Sequence, residues 1–89
     1  MDQNTNQTVS STPVTIYSTP SCTYCHAAKE FFKANNIPYN DYNVADNLEK
    51  REEMSKLTGG QMAVPVIVVG TNVIVGFNEG KLRELLQIA

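Results

Sequence analysis

Tyr17-Ser18-Thr19-Pro20-Ser21-Cys22-Thr23-Tyr24-Cys25-His26 is the stretch that decides how this chain is read. Upstream, Val14 to Ser18 alternates apolar and polar residues as a short strand does, and Thr19-Pro20-Ser21 has the composition of a loop. Downstream, Ala28, Phe31, Phe32 and Asn35 recur at helical spacing, which predicts a helix over Thr23 to Asn35. Cys22 and Cys25 therefore open a helix directly after a strand. The unpaired N–H groups of a helix start and the positive end of its dipole both favour a thiolate. This is the physical arrangement of a dithiol redox site.

Working outward, Asn36-Ile37-Pro38 ends the first helix, because proline disfavours helix at the residue before it. Tyr39 to Val44 reads as a second strand with Tyr42 and Val44 on one face. Asp46 followed by Glu49 resembles a capping box, and Leu48, Arg51, Met54, Ser55 and Leu57 continue a helix that Gly59-Gly60 stops. Val64 to Val69 is a continuous apolar run, expected of a strand buried on both faces. Gly70-Thr71-Asn72 reads as a hairpin turn into Val73, Ile74 and Val75. Asn78 can cap a last helix with Leu82, Leu85, Leu86 and Ala89 as its apolar stripe. The order is βαβαββα. A β-α-β opening implies parallel pairing, and the closing hairpin adds an antiparallel strand. The expected fold is α/β, with a mixed sheet of about four strands and helices on its faces.

The chain has 89 residues and a formal net charge of −2, enough for one domain. Nine of the first 13 residues are Gln, Asn, Ser or Thr, so residues 1–12 are expected to be a disordered polar tail ahead of a domain at 13–89. The start has neither the basic residues nor the apolar run of a signal peptide, and no stretch approaches a membrane span of about 20 apolar residues. A cytoplasmic location is expected. Residues 13–89 hold all seven basic and eight of the nine acidic residues, a balance that argues against nucleic acid as a partner.

Two cysteines three residues apart close too short a loop to constrain the unfolded chain much, so the pair makes little sense as a staple. On a helix, Cβ atoms at i and i+3 lie about 5–6 Å apart, whereas a relaxed disulfide takes roughly 3.5–4.5 Å. Local adjustment is needed to join them, which favours a reducible bond. Cys22, at the helix start, is expected to face solvent and attack; Cys25, one turn in, is expected to be more buried and to resolve the mixed disulfide. Cys22-x-x-Cys25-His26 also matches a c-type haem attachment, but that reading predicts a mostly helical, exported protein. Zinc needs four ligands where these residues supply three at most. His26 is read as an ordinary exposed residue. Proline cannot donate to a sheet ladder, which places Pro65 at a strand start, with a cis or trans bond left open.

Together, Tyr17 to His26, Val64-Pro65 and Gly76-Phe77-Asn78, in that order and between those elements, resemble the glutaredoxin branch of the thioredoxin superfamily. The resemblance runs from Val14 to Leu86. It implies a thioredoxin-like fold of the glutaredoxin type, a cis Pro65, and dithiol thiol–disulfide oxidoreductase activity with Cys22 as nucleophile. It also implies that Tyr24 flanks the site, that the Val64 backbone pairs with a glutathione or peptide substrate, and that Gln61 meets a glutathione carboxylate. Protein disulfides and glutathione mixed disulfides are the implied substrates of a monomer with no bound cofactor and glutathione as co-substrate.

The departures are informative. Thr19 stands where glutathione-dependent members carry a basic residue, Ala63 where they carry Thr, and Thr23 where proline is common. Gly76-Phe77-Asn78-Glu79 replaces a Gly-Gly and an Asp that grips the glutathione amine. Gly76-Phe77 looks more like glutaredoxin-like redoxins that draw electrons from thioredoxin reductase, although Val75 and Asn78-Glu79-Gly80 do not match those well, and Phe77 is equally readable as a core residue. Losing charged partners for glutathione would cost about 1–3 kcal/mol. The alternative function is a glutathione-dependent [2Fe–2S] cluster-binding module, which the weakened glutathione contacts disfavour.

Overall fold

Short alternating segments and two-to-seven-residue connections leave few ways to stack this chain, and the computed structural model resolves which one it takes. It describes residues 13–61 and 63–87; the expected tail at 1–12 and Ala89 lie outside these. Among the described residues the elements are β1 (Val14–Ser18), α1 (Thr23–Ala34), β2 (Asn40–Asn43), α2 (Leu48–Thr58), β3 (Val66–Val69), β4 (Asn72–Val75) and α3 (Glu79–Leu86). The four strands form one sheet in the order β2-β1-β3-β4. β1 pairs parallel with β2, while β1–β3 and β3–β4 are antiparallel. This is the expected βαβαββα mixed sheet with three helices.

The register sorts the core into two layers. Val14 stands opposite Val69, and Ile16 opposite Ile67, which in turn faces Ile74. These five form one apolar face and pack with Ala28, Phe31 and Phe32 of α1 and Leu82 and Leu86 of α3. The other face carries Tyr17 and Val66, packed with Val44 and with Met54 of α2. Because side chains alternate along a strand, α1 and α3 cover one side and α2 the other. β3 is an interior strand, which is why its sequence is apolar without interruption.

Several local expectations are met by identifiable contacts. Gly59 ends α2 with φ 71, a conformation open to glycine at little cost. Gly70 takes φ 63 in the two-residue hairpin loop. The Asn78 side chain accepts the Lys81 N–H at 3.1 Å and caps α3. Leu82 and Leu86 are buried and Leu85 packs against the same core.

Other expectations differ in detail. The cap of α2 is Asn47, not Asp46: the Asn47 side chain accepts the Lys50 N–H at 3.1 Å. Asp46 instead accepts from the Asn43 side chain at 3.3 Å. The strand expected from Val64 begins at Val66, after a cis Val64–Pro65 bond. And α2 buries only Met54, leaving Leu48 and Leu57 exposed. Polar clamps hold it in place of a stripe. Tyr17 donates to Glu53 at 2.7 Å, Arg51 Nε donates to the Val44 carbonyl at 3.0 Å, and the Lys50 ammonium sits 4.1 Å from the Tyr42 ring centre.

Candidate functional site

The end of β1 and the first turn of α1 define the cysteine site. Cys22 is itself the N-cap, with extended backbone angles (φ −86, ψ 114), and its Sγ accepts the Cys25 N–H at 3.1 Å. The sulfur thus occupies the place of the oxygen in an ordinary Ser or Asp cap. No acidic residue stands in the first turn of α1, so no carboxylate there competes for the dipole. The approach loop is tied down at several points. Cys22 N–H donates to the Thr19 carbonyl at 3.3 Å and His26 N–H to the Cys22 carbonyl at 3.2 Å. His26 Nε2 lies 2.7 Å from the Pro20 carbonyl, which can only accept, so this nitrogen donates. His26 is exposed as expected, yet it pins the loop.

The two sulfurs are unequal in the way helix geometry requires. Both cysteines are unbridged; Cys22 is half-buried and Cys25 has no exposed surface. Burial pushes the Cys25 thiol up to about 12, and its hydrogen bond to Cys22 adds to that. The Thr19 backbone and the Lys29 charge act in the opposite direction without prevailing.

Behind Cys25 lies a charged row. Lys29, one turn further along α1, places its ammonium 2.9 Å from Asp41 of β2. The other Asp41 oxygen accepts from the hydroxyl of Ser18 at 2.7 Å, and Ser18 is only 2% exposed. Partial burial disfavours the Asp41 carboxylate, but the Ser18 hydroxyl and the Lys29 ammonium outweigh it and hold the carboxyl below its ordinary range.

The remaining expected residues are dispersed over neighbouring loops. Tyr24, the second residue of α1, is 66% exposed. Val64 is half-buried and packs against the Tyr17, Val44, Met54 and Val66 cluster. Pro65 is buried; its carbonyl accepts the Gly76 N–H at 2.7 Å, which joins two of the expected positions directly. Gly76 has φ 92, in the left-handed region that favours glycine. Phe77 turns its ring toward Phe31, with centres 5.9 Å apart, and packs on the core. Gln61 is exposed beyond α2, its carbonyl accepting from Thr58 Oγ1 at 2.9 Å. Among the described residues, no three His, Cys, Asp or Glu side chains converge as a metal site requires.

Residues 14–74 match the glutaredoxin family. The chain belongs to that family. An uncharacterized glutaredoxin-like 8.6 kDa protein in a rubredoxin operon of Clostridium pasteurianum is 46% identical over 74 residues, spanning 83% of this chain and 97% of that one. Among solved structures, the glutaredoxin of Archaeoglobus fulgidus superposes with a TM-score of 0.77 at 25% identity, covering 93% of this chain and 96% of that chain. The glutaredoxin-like NrdH-redoxin of Escherichia coli, described with a thioredoxin-like activity profile, gives 0.73 at 26% identity over 82% of this chain and 93% of its own. These likenesses establish a glutaredoxin-like member of the thioredoxin superfamily, and thiol–disulfide redox chemistry as its function. The Val64–Pro65 bond is cis, as the resemblance implies.

Sequence reading missed the row behind Cys25. Lys29 was within reach of it, since i and i+4 share a helix face. Asp41 and Ser18 were not, because only the parallel register of β1 and β2, with Asp41 opposite Ile16 and Ser18 opposite Asn43, brings them together as diagonal neighbours.

Proposed function

We propose that this glutaredoxin family member is a dithiol oxidoreductase that reduces protein disulfides and glutathione mixed disulfides as a cytoplasmic monomer. The observation that carries the reading is the pairing of a half-buried Cys22 sulfur, held at the helix start, with a fully buried Cys25. The Cys22 thiolate attacks one sulfur of the substrate disulfide, forms a mixed disulfide and releases the first thiolate. Deprotonated Cys25 then attacks the Cys22 sulfur, forming the Cys22–Cys25 bond and releasing the second thiolate, so that two electrons pass to the substrate. Tyr24, Gln61, the backbone of Val64 beside Pro65, and Gly76 with Phe77 form the substrate-facing rim. The family membership and the exposed Tyr24 ring support this assignment.

The test follows NADPH consumption with a small disulfide, comparing glutathione plus its reductase against thioredoxin reductase. Cys22→Ser should abolish turnover with either donor, while Cys25→Ser should keep glutathione-dependent single-thiol turnover. Disulfide turnover by Cys22→Ser would refute the assignment. Efficient turnover with glutathione would make this a glutathione-wired glutaredoxin. Turnover with thioredoxin reductase alone would mark a glutaredoxin-shaped protein with thioredoxin-like wiring.

A further inference from the structure

The resolving step requires the buried Cys25 to give up its proton before it can act. Two of the influences that oppose ionisation come from Cys22 itself, through its hydrogen bond and its charge. The charge disappears once Cys22 is capped in a mixed disulfide, because the capped sulfur is neutral, and the hydrogen bond to it weakens. Burial then remains as the main opposing force. On the favourable side stand the Thr19 backbone and Lys29.

Lys29 does not occupy that place by chance of rotamer. A long, flexible ammonium one helical turn from Cys25 would ordinarily extend into water. Here the side chain is 19% exposed and held by Asp41 at 2.9 Å. Asp41 is in turn fixed by Ser18, whose hydroxyl, on the same sheet face, donates at 2.7 Å. Three residues on three elements are thus joined in one chain of contacts, with Lys29 one turn from Cys25 on α1.

We propose that Lys29, positioned by Asp41 and Ser18, is the electrostatic group that lets Cys25 ionise in the mixed disulfide and so sets the pH dependence of resolution. This inference rests on the dithiol reading above. Lys29, Asp41 and Ser18 are positioning residues; the reacting atoms remain the sulfurs of Cys22, Cys25 and the substrate. In balance, the Cys25 proton passes to water, the Cys25 sulfur bonds the Cys22 sulfur, and the Cys22–substrate bond breaks. The departing thiolate takes up a proton from water. The charged and titratable groups bearing on Cys25 are Cys22 at the cap of α1 and Lys29 within it, with Asp41 of β2 paired to Lys29 and His26 acting on Asp41. β1 contributes the neutral Ser18, and β3, Val66–Val69, contributes no ionisable side chain.

The size of the effect follows from two opposing dependences. An opposite charge nearby favours the ionised form by roughly one to three pH units, reduced here because Asp41 offsets part of the Lys29 charge. Losing about one unit would cut the thiolate fraction tenfold. The more basic thiolate is also the better nucleophile, with a Brønsted coefficient near 0.4–0.5, which returns part of the loss. The net slowing at neutral pH is about three- to fourfold.

The experiment uses the full chain, reduced, with 5,5′-dithiobis(2-nitrobenzoate) as the probe, and follows the coloured thiolate in stopped flow across a pH series. The first release reports attack by Cys22 and the second reports resolution by Cys25. Lys29→Met keeps the aliphatic stem and removes the charge. It should slow the second release about three- to fourfold at neutral pH and move its midpoint upward, with the first release changed less than about twofold. Lys29→Arg should restore the wild-type second phase. An unchanged second phase in Lys29→Met, equal slowing of both phases, or no rescue by Lys29→Arg would overturn the role of Lys29. Absence of a second release from the wild type would overturn the dithiol reading itself.

Discussion

The hydrogen bond between Ser18 and Asp41 makes a quantitative claim on stability. Ser18 is 2% exposed and its hydroxyl lies 2.7 Å from a carboxylate oxygen. A hydrogen bond to a charged group contributes about 1.5–3 kcal/mol when shielded. The Asp41 side chain is 36% exposed, so water can replace part of the lost bond. The expected cost of Ser18→Ala is therefore about 1–2 kcal/mol at pH 7. For a domain of this size that is a fall in Tm of about 4–16 °C.

The pH dependence separates this account from simple loss of packing. Asp41 is held below its ordinary value of 3.8 in the folded chain. A depressed carboxyl stabilises the fold fully above the unfolded value, and the stabilisation is lost as pH falls through the folded value. The Ser18→Ala penalty, read by urea unfolding of the reduced protein, should shrink as pH drops from 4 toward 2. In a double-mutant cycle with Asp41→Asn, the two costs should overlap by about 1 kcal/mol. A penalty identical at pH 7 and pH 2, or costs that add within about 0.3 kcal/mol, would refute the reasoning.

Asn47→Ala should cost about 1 kcal/mol by removing the cap of α2, whereas Asp46→Ala should change unfolding free energy by less than about 0.5 kcal/mol. Reversal of that order in urea unfolding would return the cap to Asp46. The buried Cys25 thiol, raised to about 12 from an ordinary 9.0, holds its proton more tightly folded than unfolded. Its contribution is complete below pH 9 and is lost as pH rises through about 12, so the stability of the reduced wild type relative to Cys25→Ala should fall over that range. Tyr17, also raised by burial and by Glu53, titrates in both proteins and cancels in the comparison. A difference that stays flat with pH would show that Cys25 is not shielded.

Element types and order were legible because each rests on neighbours in sequence. The helical recurrence of Ala28, Phe31 and Phe32, the glycine stop at Gly59 and the Asn78 cap are decided within a turn or two of chain. α2 was read less well because it does not dock by an apolar stripe. Its contacts come from Tyr17, 36 residues before Glu53, and from Val44 and Tyr42 just ahead of the helix, none of which a periodicity in 48–58 announces. The Asn47 and Asp46 exchange has a similar cause. Adjacent Asx residues have similar capping capacity, and the choice was made by Asn43, whose own side chain engages Asp46 and the Ala45 N–H.

The site divides along the same line. Cys22 and Cys25 were readable with their unequal burial, since a helix start fixes which of two residues three apart points outward. The groups that tune the second cysteine were not. Lys29 reaches Cys25 through helix spacing, but what fixes its charge is Asp41, twelve residues away on a strand whose partner is known only from register. A motif names the sulfur that attacks; the field that governs the sulfur that follows is assembled by tertiary pairing. If Lys29→Met alters only the second release, then proteins sharing Cys22-Thr23-Tyr24-Cys25 but differing at the positions of Lys29, Asp41 and Ser18 should attack disulfides at similar rates and differ in how completely they resolve them near neutral pH.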